Sequence, residues 1–109
     1  MIKYIILTTQ FPAIHAWPLC NIPDVSYLKY PHRHMFHVVM KFEVTDNDRQ
    51  IEFIRTKQVL DNHLTCYYRD QNLGGKSCED IAEELIKEFK ADYVSVMEDN
   101  ENGAEIYGD

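Results

Sequence analysis

The sequence predicts an α+β fold in one domain, residues 1–109, with elements in the order β-loop-β-α-α-β-β. Three observations predict it. Residues 32–44 alternate between two faces with the period of a strand, while apolar residues within 77–89 recur at helical spacing. No internal repeat, low-complexity segment or composition shift divides the chain.

Residues 2–9 (Ile2-Lys3-Tyr4-Ile5-Ile6-Leu7-Thr8-Thr9) are β-branched and aromatic, which predicts the first strand. All four prolines, Pro12, Pro18, Pro23 and Pro31, fall in 12–31 and deny backbone donors to a continuous ladder. That segment is expected to be a long loop, and such loops are usually functional or disordered. His32 to Val44 is the second strand. One face carries His32, His34, Phe36, Val38, Met40, Phe42 and Val44, and the other Arg33, Met35, His37, Val39, Lys41 and Glu43. Asp46-Asn47-Asp48 reads as a turn. Ile51 to Leu64 then reads as a helix, with Phe53, Lys57, Leu60 and Leu64 at helical spacing, and Thr65 to Lys76 as a polar connection. Ser77 followed by Cys78-Glu79-Asp80 has the form of a helix start, so the second helix begins there and carries Ile81, Ala82, Leu85, Ile86 and Phe89 on one face. Tyr93 to Met97 is a strand, Asp99 to Gly103 a turn, and Ala104 to Tyr107 pairs back.

Eighteen acidic against eleven basic residues give a net charge of -7, which opposes binding to nucleic acid or to an anionic membrane surface. Ile5-Ile6-Leu7 is too short for a signal-peptide core or a bilayer span, so a soluble, cytoplasmic protein is expected. Cys20, Cys66 and Cys78 are odd in number and lack CxxC spacing, which fits reduced thiols. A domain near this size buries only about two thirds of its unfolded surface. A homo-oligomer whose subunits share the walls of a pocket is therefore expected.

The histidines carry the chemistry. Two histidines at i and i+2 on a strand point to the same side, roughly 7 Å apart at Cα, and His32 and His34 meet that condition. His15 follows the first strand and comes beside them if the two strands pair antiparallel. Three neutral imidazoles with an open fourth position make a catalytic zinc site. A lone His-x-His is equally an ordinary polar strand entrance, and spacing alone leaves both readings standing. His37 falls on the opposite face, and His63 sits where a helix end favours it.

Several segments resemble one family in order and spacing. Gln10-Phe11-Pro12-Ala13-Ile14-His15 resembles the Phe-x-Ala-Ala-His opening of the 6-pyruvoyl-tetrahydropterin synthase / 6-carboxytetrahydropterin synthase family, and His32-Arg33-His34 its His-Gly-His strand. Ile51-Glu52-Phe53-Ile54-Arg55-Thr56-Lys57 and Ser77-Cys78-Glu79-Asp80-Ile81-Ala82 are similar to the starts of its two helices. Val96-Met97-Glu98 and Gly103-Ala104-Glu105-Ile106-Tyr107 resemble its closing strands. The resemblance implies a four-stranded antiparallel sheet with two helices on one face (β-β-α-α-β-β), whose subunits associate into a β-barrel. It also implies zinc on His15, His32 and His34, with Glu98 anchoring the amidine-like edge of a pterin or purine ring.

In the family a cysteine before the His-x-His pair moves a proton while zinc polarises the substrate's side-chain oxygens, and Cys20 lies in that loop. Cys78, at the predicted helix start, is where a dipole would depress a thiol. Tyr68-Arg69 stand where the family has an Asp-His pair, no Asp-His dipeptide occurs, and Arg33 replaces the glycine between the strand histidines. Tyr67 or Tyr68 is then the acid left in that region. Three readings follow from this pattern: a zinc-dependent lyase acting on a dihydropterin triphosphate, a divergent module that keeps the zinc and binds a pterin or purine, or a metal-free assembly protein in which the histidines are incidental.

Overall fold

A computed structural model describes residues 1–108. The chain is α+β, with strands β1 (Lys3–His15), β2 (His32–Val44), β3 (Tyr93–Glu98) and β4 (Asn102–Tyr107) in one antiparallel sheet of order 1-2-3-4. Three helices accompany it: α1 (Phe53–Tyr67), α2 (Cys78–Phe89) and a short 3₁₀ segment, Pro23–Lys29.

β1 runs past the predicted strand of residues 2–9 and takes in Pro12. The reason lies at the sheet edge. Pro12, Ile14 and Ala16 turn their backbone groups away from β2, where the Pro12 carbonyl accepts from Asp70 N (2.7 Å), Ile14 N donates to the Gln71 carbonyl (2.9 Å) and Ala16 N to the Gly74 carbonyl (2.9 Å). The missing proline donor thus interrupts no bond to β2, as an edge position allows. The predicted loop 12–31 is correspondingly shorter, and its central part is the 3₁₀ segment.

One face of the sheet holds the core. Leu7, Phe11 and Ala13 of β1, Phe36, Val38 and Met40 of β2, and Val94 and Val96 of β3 pack with Leu60 and Leu64 of α1 and Ile81, Ala82 and Leu85 of α2. α1 lies over β1, and α2 over β3 and β4. α1 begins at Phe53, two residues after the predicted start, because the Glu52 side chain accepts from Ile54 N and caps it. It ends three residues beyond Leu64, and Asp70 then turns the chain in the left-handed region (φ 59°). α2 starts as predicted. The Ser77 side chain accepts from Asp80 N while the Asp80 carboxylate accepts from Ser77 N, a reciprocal cap.

β3 and β4 are joined by a tight turn with Asp99 (φ 53°) and Asn100 (φ 58°) at its centre, closed by Glu101 N on the Glu98 carbonyl (2.9 Å). The opposite face of the sheet is open and carries exposed Tyr4, Ile6 and Tyr107. Among the described residues no helix is long and apolar enough to cross a membrane.

Candidate metal centre

Strand register assembles the site. β1 and β2 pair with His15 opposite His32 and Ala13 opposite His34, which brings the histidine at the end of β1 onto the face of the His-x-His pair. One ring nitrogen from each of His15, His32 and His34 lies within 4.8 Å of the others. The rings meet edge to face, with centroids 4.6 Å apart for His15–His32, 4.9 Å for His32–His34 and 5.4 Å for His15–His34. Phe36 forms the floor, its centroid 5.2 Å from that of His15.

The outer nitrogens are all engaged. His15 Nδ1 contacts the Lys76 carbonyl (2.8 Å), His32 Nδ1 the Tyr30 carbonyl (2.9 Å) and His34 Nδ1 the Asp99 carboxylate (2.6 Å). Carbonyl and carboxylate oxygens can only accept, so each Nδ1 carries the proton and donates it. In the neutral rings the lone pairs are then on Nε2. Metal-ligating histidines are held in this way, through the nitrogen that does not face the ion.

His15 makes the strongest case. It is only 7 % exposed, and its Nε2 is fully buried without a hydrogen-bond partner. Glu98 Oε2 lies 2.8 Å from that nitrogen, within ion-pair distance, with no hydrogen bond formed between them. An orphaned buried nitrogen calls for a ligand. Three neutral imidazoles suit Zn²⁺, so the residues present fit that ion.

Glu98 ends β3 opposite Phe36, with its second oxygen 3.6 Å from His34 Nε2. The next residue escaped sequence reasoning. Asp99 accepts from His34 Nδ1 through Oδ2 and from Met35 N through Oδ1 (3.0 Å), and the His34 bond, then the Met35 amide, hold its carboxyl below the ordinary range. The one local signal was an acidic residue at the head of a two-residue turn, ordinary in itself.

A cavity of about 500 Å³ opens beside the histidines. His15, His32 and Glu98 line one part of it, Trp17 and Leu28 give an apolar wall, and Lys76, Ser77, Cys78 and Glu79 bring the start of α2 to it. Trp17 is fixed by its amide on the Leu28 carbonyl (2.6 Å).

Cys20 is buried but does not line this cavity. Its sulfur faces the Val25 carbonyl at 3.6 Å and the Ile22 carbonyl at 4.0 Å, within its own loop. Cys78 is the cysteine at the cavity, and the expected depression of its thiol is reversed. Burial, with the charges of Glu98 and Glu79, pushes it up to about 12. Tyr68 is a core residue whose hydroxyl donates to Glu84 (2.6 Å), and burial raises its phenol further, so it offers no acid to the site. His63 lies against Tyr67 and meets Phe89 edge to face, away from the metal-site histidines. His37 stays on the opposite face of β2, where it pairs with Gln10 and Met97.

No family model matches the chain, and no curated protein matches it. Among solved structures it is similar to the uncharacterized protein WS1659 from Wolinella succinogenes, with a TM-score of 0.68 and 14% identity over 100% of this chain and 99% of that one. At that identity the likeness is one of fold.

Proposed function

We propose that the chain holds one zinc ion on His15, His32 and His34 and acts on a dihydropterin triphosphate as a carbon–oxygen or carbon–carbon lyase, in the manner of the family its segments resemble. The observation that carries the reading is the convergence of His15, His32 and His34, one ring nitrogen of each within 4.8 Å of the others, with every Nδ1 engaged outside the cluster. Zinc bound there supplies Lewis acidity towards a substrate oxygen. The chain's own residues bind and orient. Glu98, partly open to the cavity, accepts two parallel hydrogen bonds from a ring N–H and an exocyclic amine, and Trp17 and Leu28 cover the apolar face of the ring. The resemblance gives the proton transfer to Cys20, which would have to leave its contacts with the Ile22 and Val25 carbonyls to reach the cavity.

The position of Cys20 favours a second reading. A thiol turned to the carbonyls of Ile22 and Val25 suits a module that keeps the zinc and Glu98 but captures a pterin or purine without turning it over. The subunits are further proposed to join sheet edges into a barrel as a homo-oligomer. The exposed Tyr4, Ile6 and Tyr107 on the open face support that association, and a monomer mass by light scattering rejects it.

Turnover of dihydroneopterin triphosphate by the zinc-loaded protein tests the choice. The lyase reading expects product, with a rate about 10²- to 10⁴-fold lower in Cys20→Ala at unchanged zinc content. Pterin binding that depends on Glu98 without turnover establishes the binding module instead.

A further inference from the structure

We infer that Asp99 is a positioning residue for the metal centre: it sets the tautomer of His34 and locks the strand end that carries Glu98 beside the histidines. The inference rests on the zinc reading and adds to it a residue outside the three ligands and the ring anchor.

The geometry comes from two sides of one carboxylate. Oδ2 takes the Nδ1 proton of His34 at 2.6 Å, which leaves Nε2 of that ring as the donor atom facing Glu98 and His15. A charged acceptor on the far nitrogen also makes an imidazole a better donor, and such partners typically contribute about 10- to 100-fold in metal affinity. Oδ1 takes the Met35 amide at 3.0 Å, and the Asp99 amide donates to the Met35 carbonyl at 2.7 Å. These two bonds continue the pairing of β2 with β3 one step beyond Phe36 and Glu98. Glu98 is therefore held between a paired strand and a clamped turn, with its oxygens 2.8 Å from His15 Nε2 and 3.6 Å from His34 Nε2.

A purely structural role for Asp99 has a clear alternative form. The residue has φ 53°, a conformation that glycine, asparagine and aspartate all adopt in such turns. If the turn were all that mattered, glycine would serve as well as aspartate. The carboxylate contacts with His34 and Met35 are what glycine lacks.

The test compares wild type, Asp99→Asn and Asp99→Gly. Zinc affinity is measured by competition with a chromophoric chelator, and the His34 ring is followed by nitrogen-15 NMR in the metal-free protein. Asp99→Gly is expected to weaken zinc binding about 10- to 100-fold and to lose the Nδ1-protonated signature of His34. Asp99→Asn retains an acceptor without the charge and is expected to fall between the two, with the signature kept. Unchanged zinc affinity in both variants overturns the Asp99 assignment while leaving the zinc reading in place. Wild-type protein that takes up no zinc removes the metal centre itself, and the assignment with it.

Discussion

Replacing His15 by leucine sets the metal reading against the stability of the metal-free fold. A neutral His15 keeps Nε2 buried without a hydrogen bond and beside the Glu98 carboxylate, 2.8 Å away, a condition that costs about 1–3 kcal/mol. Leucine removes that cost and forfeits the bond from Nδ1–H to the Lys76 carbonyl, which contributes about 1 kcal/mol net. In chelator, His15→Leu is therefore expected to be as stable as wild type or more stable, by up to about 2 kcal/mol. On the zinc reading, the ion is expected to reverse the order. At a free concentration one hundred times its Kd a bound ion would stabilise the wild type by about 2.7 kcal/mol. For a domain near this size that raises Tm by roughly 10–20 °C, and the variant with two remaining histidines should show a small fraction of the shift. Thermal melts at neutral pH, with chelator and with zinc, give all four values. A variant strongly destabilised in chelator, or one with the full zinc shift, refutes the reasoning.

Three further outcomes are expected. Cys78 keeps its proton to about pH 12 in the folded chain, whereas a free thiol loses it near 9, so between those values the folded state binds more protons and stability falls as pH rises. The raised phenol of Tyr68 acts in the same direction at higher pH. Urea midpoints from pH 8 to 11 should decline, and less steeply in Cys78→Ala. Phe36→Ala empties a fully buried position that stacks on Phe11 at 5.3 Å and supports the His15 ring, so it should cost about 3–5 kcal/mol in urea unfolding. Gly103→Ala places a Cβ against the Val96 carbonyl oxygen and should lower Tm, whereas Gly75→Ala, which meets only the Pro18 side chain at 3.8 Å, should not.

Much of the fold was legible because local chemistry and tertiary packing agree. β2 alternates as its sequence does, with the face of Phe36, Val38, Met40 and Val44 buried. Ser77 and Asp80 form the cap their spacing suggests. β1 outruns the predicted 2–9 because Pro12 is a strand breaker only where its missing donor faces a neighbour, and edge position is a property of the whole sheet. The site divides along the same line. His32 and His34 announce themselves two residues apart, and His15 follows from antiparallel pairing. The Lys76 carbonyl that fixes His15 and the carboxylate that fixes His34 lie 61 and 65 residues away, so only the completed register reveals them.

The pairing of His15 with His32 has a consequence for how the hairpin finds its alignment. β1 carries apolar residues on both faces, Tyr4, Ile6 and Ile14 on one and Ile5, Leu7 and Phe11 on the other, so its hydrophobic pattern discriminates weakly against a slip of one position. Such a slip would turn His15 to the far side of the sheet and scatter the cluster. An ion that binds only the gathered histidines would then act as a proofreader of strand alignment, rewarding one registration of thirteen residues over its neighbours from a single point at the hairpin's loop end.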